Sequence, residues 1–139
     1  MALAGEPTVI QDLCLLRAFR DQVLSCSPVG EHWIALYEQH RTEIAWILAT
    51  NAQLRNKTRI ALKQWLPLIQ ALTFPDAVKK AILTSEHLDS AEAIIGALST
   101  MASPQLRADL EAGLQFLDQG QKFTGTDIRE VWRKLTSEP

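Results

Sequence analysis

A chain of 139 residues with 47% hydrophobic side chains has the size and composition of one ordinary globular domain. It buries roughly two thirds of its unfolded surface on folding, so it needs neither a metal nor a disulfide to hold it. A formal charge of −2 removes any whole-chain electrostatic case for nucleic acid, and no apolar run approaches the ~20 residues that span a bilayer.

In chain order, residues 1–7 read as a frayed start. MALAGEPTVIQD has neither a basic n-region nor an apolar h-region, so it is not a secretory signal, and a cytoplasmic location is expected. Thr8 with Gln11 fits a capping box, and a first helix is predicted from about 9 to 24. Val9, Leu13, Leu16, Phe19 and Val23 share one of its faces. Ser27-Pro28 then marks a new start, with Ser as N-cap and Pro at the first helical position. Gly30 in that first turn costs helix propensity.

The stretch 27–67 is the expected centre of the molecule. It holds three of the four Trp residues and the only Tyr. Trp33, Leu36, Tyr37, Ile44, Ile47 and Leu48 fall at helical spacing, with His40 in the same series. Aromatic side chains bury the most area, so the core is predicted around Trp33, Trp46 and Trp65. Asn51 ends this helix. The next carries Leu54, Thr58, Ala61, Leu62, Trp65 and Ile69, and Pro67 interrupts or kinks it.

The remainder is predicted as shorter helices. One starts at Pro75-Asp76 and presents Val78, Ala81 and Ile82. Another starts at Asp89 with Glu92 and buries Ala91, Ile94, Ile95, Leu98 and Met101. Ser103-Pro104 repeats the capping device before Leu106, Leu110, Leu114 and Leu117. Gly120 suits a left-handed residue after that helix. Thr126 or Asp127 caps the last helix, whose stripe is Ile128, Val131, Trp132 and Leu135. No alternating apolar run indicates a strand. The expectation is an all-α, compact multi-helix bundle of about six to eight helices. It is a single domain over 1–139, with 1–72 and 73–139 as its halves.

Little in the sequence carries chemistry. Cys14 and Cys26 form no CxxC pair, and no His is spaced to activate or join them, so buried or half-buried reduced thiols are expected. His32 and His40 are too far apart along a helix to share a metal, and His40 reads as a hydrogen-bonded histidine at the edge of the core. There is no Gly-rich phosphate loop, paired-carboxylate motif or nucleophile elbow. No catalytic residue, cofactor or metal is therefore assigned, and no small-molecule substrate is evident. The clearest polar signal is electrostatic. Residues 44 to 75 contain no acidic side chain, whereas Arg55, Lys57, Arg59 and Lys63 are all present. Arg55, Arg59 and Lys63 repeat every fourth residue and so share a face.

The first half carries a resemblance. LLRAFRDQVL from Leu15, SPVG from Ser27, Ala35-Leu36-Tyr37 and Leu54-Arg55 together resemble the bacterial and archaeal CFI-box family. That family reads Leu-Arg-x-Phe-Arg-Asp, Pro-x-Gly, Leu-Tyr and a later Leu-Arg in this order. Ala4-Gly5-Glu6-Pro7 is similar to the end of its opening motif. The Cys-Phe-Ile-Ala-Thr box itself does not occur in this chain. Arg41-Thr42-Glu43 stands where the family has Ser-Pro-Pro. The resemblance implies a small helical accessory module, often a terminal part of larger and frequently exported proteins, with no catalytic activity to transfer. The expected function is therefore a non-enzymatic protein-interaction or accessory module whose partner is another protein. The alternative is an anionic partner, nucleic acid or lipid headgroups, on the basic helix. Candidate partner-binding residues are Arg17 and Arg20 from the family-like motif, with Arg55, Lys57, Arg59 and Lys63.

Overall fold

The computed structural model describes residues 7–137, and six α-helices account for most of them. They are α1 (Pro7–Gln22), α2 (Pro28–Thr50), α3 (Ala52–Thr73), α4 (Ser85–Met101), α5 (Pro104–Gly120) and α6 (Ile128–Thr136). Short 3-10 turns occupy Leu24–Cys26, Pro75–Ala77 and Gln121–Phe123. No strand forms among the described residues, where the extended pairing is the isolated bridge between Ile82 and Asp127. The fold is all-α. The element at Ala4-Gly5-Glu6 and the side chain of Val9 lie outside the described residues.

Most helix starts trace to a side chain that satisfies an orphan backbone N–H. Ser27 Oγ accepts from Gly30 N at 3.0 Å at the head of α2. Asn51 ends α2 and caps α3, its Oδ1 accepting from Leu54 N at 3.0 Å. Ser103 Oγ accepts from Leu106 N at 3.3 Å at the start of α5. Asp127 caps α6 through Arg129 N.

Four boundaries differ from the sequence reading. First, α1 spans Pro7–Gln22, which puts Thr8 inside its first turn. Second, α4 starts at Ser85 rather than at Asp89, because Thr84 and His87 form the reciprocal cap. Third, Gly120 is right-handed at φ −73, and the left-handed glycine is Gly125 at φ 88. The chain continues from α5 directly into a 3-10 turn, so the reversal falls five residues later. Fourth, no α-helix follows Pro75-Asp76. After one 3-10 turn the segment runs extended, held by α6 and the loop before it. Leu83 N donates to Thr126 O, Gly125 N to Leu83 O and Ile128 N to Ala81 O. Pro67, in contrast, does not end α3, which runs through it.

The core has two clusters. One joins Leu68 and Ala71 of α3 to Ala81 and Leu83, Leu88 of α4, and Ile128 and Val131 of α6. The other joins Ile47, Leu54, Leu98, Ala102 and Leu106. Leu68, Leu83, Leu88 and Leu106 are almost wholly enclosed, and burial of each such side chain contributes roughly 1.5–3 kcal/mol. Trp65 packs on the first cluster and donates Nε1–H to His87 O at 3.0 Å. His87 Nε2 meets Gln64 O at 3.1 Å, which ties α4 to α3 again. Trp46 belongs to neither cluster. It is 69% exposed, because it sits about 200° round α2 from Ile44, given the helical pitch.

Candidate functional site

A cavity of about 590 Å³ lies between the helices. Every helix contributes an apolar side chain to it, such as Phe19, Trp33, Trp65, Ile94, Phe116 and Trp132. The Trp33 and Phe116 ring centroids lie 5.3 Å apart on one wall. Tyr37 and Leu62 also line it and are 53% and 37% exposed, so they stand at its rim.

One acid–base pair reaches this apolar wall. His40 Nε2 and Asp109 Oδ2 lie 2.6 Å apart, joining α2 to α5. The His40 side chain is only 6% exposed. Nε2 is the ring nitrogen that Asp109 engages. Among the described residues no group hydrogen-bonds to Nδ1. His40 is thus the buried, hydrogen-bonded histidine that its place in the apolar series implies. Asp109 lies 69 residues away on α5, so no local pattern marks it as the partner. No serine or cysteine lines the cavity. Cys14 and Cys26 are free and exposed rather than buried. Cys14 falls out of phase with Leu16 and Phe19 on α1, and Cys26 ends a 3-10 turn that buries no residue, which outweighs the general tendency of Cys to be buried.

The outward side of α2 carries a second feature. Between residues 42 and 50 its exposed face consists of Thr42, Ala45, Trp46, Ala49 and Thr50, with no charge. Asn51 Nδ2 reaches Met101 Sδ at 3.4 Å, which sets another exposed apolar side chain at the end of this face. Below it, Glu43 joins α2 to α5. Its Oε2 accepts from Ser103 N at 2.6 Å and its Oε1 from Ser103 Oγ at 2.8 Å. These bonds hold the Glu43 carboxyl below its usual range, the backbone N–H of Ser103 being the larger cause.

The basic residues do not gather into one surface. Arg55 turns back and donates to Leu48 O and Ala49 O at 3.0 and 3.2 Å, capping the C-terminus of α2. Arg59 donates to Asn56 Oδ1 at 2.8 Å. Lys63 pairs with Asp12 of α1 at 3.6 Å. Arg20 pairs with its neighbour Asp21 at 2.9 Å, and that bond raises its pKa further. Arg17 and Lys57 are exposed, on α1 and α3 respectively.

Among the described residues, no three His, Cys, Asp or Glu side chains are grouped to hold a metal, and no helix is long and apolar enough to cross a membrane. Comparison with family models, curated proteins and solved structures finds no match.

Proposed function

We propose that this protein is a non-enzymatic interaction module that docks another protein on the uncharged outer face of α2, with Trp46 as the anchor. The observation that carries this reading is the 69% exposure of Trp46 in the middle of a long, well-capped helix. Trp is the residue type most often found at energetic hot spots, and interface centres are depleted in charge. Ala45 and Ala49 beside it leave a low surface on which a partner can close around the indole. Met101 adds an adaptable apolar contact. The order of CFI-box-like motifs in the first half agrees with an accessory role. We place its work in the cytoplasm, in keeping with two free thiols at the surface.

The anionic alternative draws less support from the geometry. Arg55, Arg59 and Lys63 each already serve a partner inside the chain, and exposed charges without stacked aromatics bind nucleic acid poorly.

The test is capture from source-cell lysate at low and high salt, using wild type, Trp46→Glu, and a Lys57→Glu/Arg59→Glu double variant. Docking on α2 predicts a protein retained at high salt, kept by the double variant and lost by Trp46→Glu. A partner lost at high salt and by the double variant, but kept by Trp46→Glu, supports the anionic reading instead.

A further inference from the structure

We propose that the interhelical cavity binds one uncharged, largely apolar small molecule. Protein interiors are close-packed and hold few voids larger than a water molecule, so a space of about 590 Å³ through the middle of the bundle is a built feature. Ligand sites have this form: several hundred Å³, mostly apolar and aromatic, with a few polar groups. An apolar cavity of about 150 Å³ takes a benzene ring, so on the same scale this one takes roughly two dozen non-hydrogen atoms.

The shape excludes a partner's helix. The wall includes Leu68, Leu83, Leu88, Leu106 and Val131, each at most 2% exposed. A helix about 10 Å across reaches those side chains only by forcing the bundle apart. The occupant is therefore a small molecule, entering from the rim at Tyr37 and Leu62.

The wall also fixes the occupant's charge. No Lys or Arg side chain lines it. His40 and Asp109 are on it, and they hydrogen-bond each other at 2.6 Å. Wherever the proton between them sits, the two together supply no net positive charge. The other polar side chains on the wall are the hydroxyls of Tyr37 and Thr58 and the indoles of Trp33, Trp65 and Trp132, all neutral. A carboxylate, sulfonate or phosphate taken into this space loses its water and meets no cation, and burial of an unpaired charge is strongly unfavourable. An ammonium meets a single carboxylate, Asp109, one of whose oxygens His40 already engages. An uncharged molecule avoids both costs and keeps the full gain of apolar burial.

The site is separate from the Trp46 face, since Trp46 does not line the cavity. The experiment is fluorescence titration of the whole chain at neutral pH with N-phenylnaphthylamine, an uncharged dye, and with the same dye carrying one sulfonate. The expected result is one uncharged dye per chain and a sulfonate at least about tenfold weaker. Decanol should displace the bound dye at concentrations at least about tenfold below those needed for decanoate or decylammonium. These comparisons are made on the wild type and need no variant. Gly113→Leu is the blocking variant. A Cβ there meets Ile95 and Trp33 at ordinary contact distances of 3.8 and 4.0 Å, so the new side chain fills the cavity without a backbone clash. It should remain folded by circular dichroism and lose the dye, while Trp46→Glu binds it like wild type. No saturable binding of the uncharged dye to wild type, a sulfonate that binds as tightly, displacement by either charged chain as readily as by decanol, or unchanged binding by Gly113→Leu would each overturn the proposal. None of these results bears on docking at Trp46.

Discussion

A methyl group added at Gly30 would overlap the backbone of Leu24. The 3-10 turn before α2 folds back onto the first turn of that helix, and only a residue without Cβ lets it close. The propensity cost of a glycine there is therefore the smaller effect, and Gly30→Ala should destabilise by roughly 2–4 kcal/mol. Gly96 in α4 is the control. Nothing lies within 4 Å of a Cβ built there, so Gly96→Ala should gain about 0.5–1 kcal/mol. Urea denaturation of both variants checks the pair, and equal effects would contradict the account. Asp127 is the second decisive residue. Its Oδ2 accepts from Ala81 N at 3.1 Å and from Arg129 Nη2 at 2.7 Å, and Arg129 also donates to Pro75 O and Val78 O at 2.7 Å. The Arg129 side-chain bond is the largest cause that pulls the Asp127 carboxyl far below its ordinary range. A depressed carboxylate adds stability above its unfolded pKa, near 3.9, and loses it as pH falls toward the folded value. The wild type should therefore weaken below about pH 4. Asp127→Asn keeps a capping oxygen but removes the charge that Arg129 bonds, so it should lose about 1 kcal/mol at pH 7 and show a flatter acid limb in denaturation at pH 7 and pH 3.

At the scale of elements, what the sequence discloses depends on how far away the deciding partner lies. The starts of α2, α3, α5 and α6 were readable because Ser27, Asn51, Ser103 and Asp127 bond their own first turns. The start of α4 uses the same chemistry with a less familiar pair, Thr84 and His87. Residues 75–84 were not readable as extended. Val78, Ala81 and Ile82 have helical spacing, but the Ala81 N–H is taken by Asp127 and the Val78 C=O by Arg129, some fifty residues later. Trp46 shows two signals in conflict. Its aromatic area argues for the core, whereas its phase on α2 points it away from Ile44 and Ile47. Phase decides, because a helix cannot turn one side chain inward without turning its neighbours out. The basic series on α3 shows the opposite limit. Its spacing is correct, but Arg55 is spent on the end of α2 and Lys63 on α1.

At the scale of the whole molecule, both core clusters take residues from before and after Thr73, so neither half encloses its own core. His40 and Asp109 bridge the halves, as do Glu43 and Ser103. The cavity lies along that join, which explains why no local pattern announced it: each helix supplies an ordinary apolar stripe, and the space exists only where six stripes fail to meet. Under the proposed docking role Trp46 stands free on the surface, while Trp65 holds the helices together. The most direct measurement is thermal unfolding of Trp46→Glu beside Trp65→Ala. The account predicts that Trp46→Glu stays within about 0.5 kcal/mol of wild type, while Trp65→Ala loses roughly 3–5 kcal/mol. A loss at Trp46 as large as that at Trp65 would place the indole in the core and contradict the docking face.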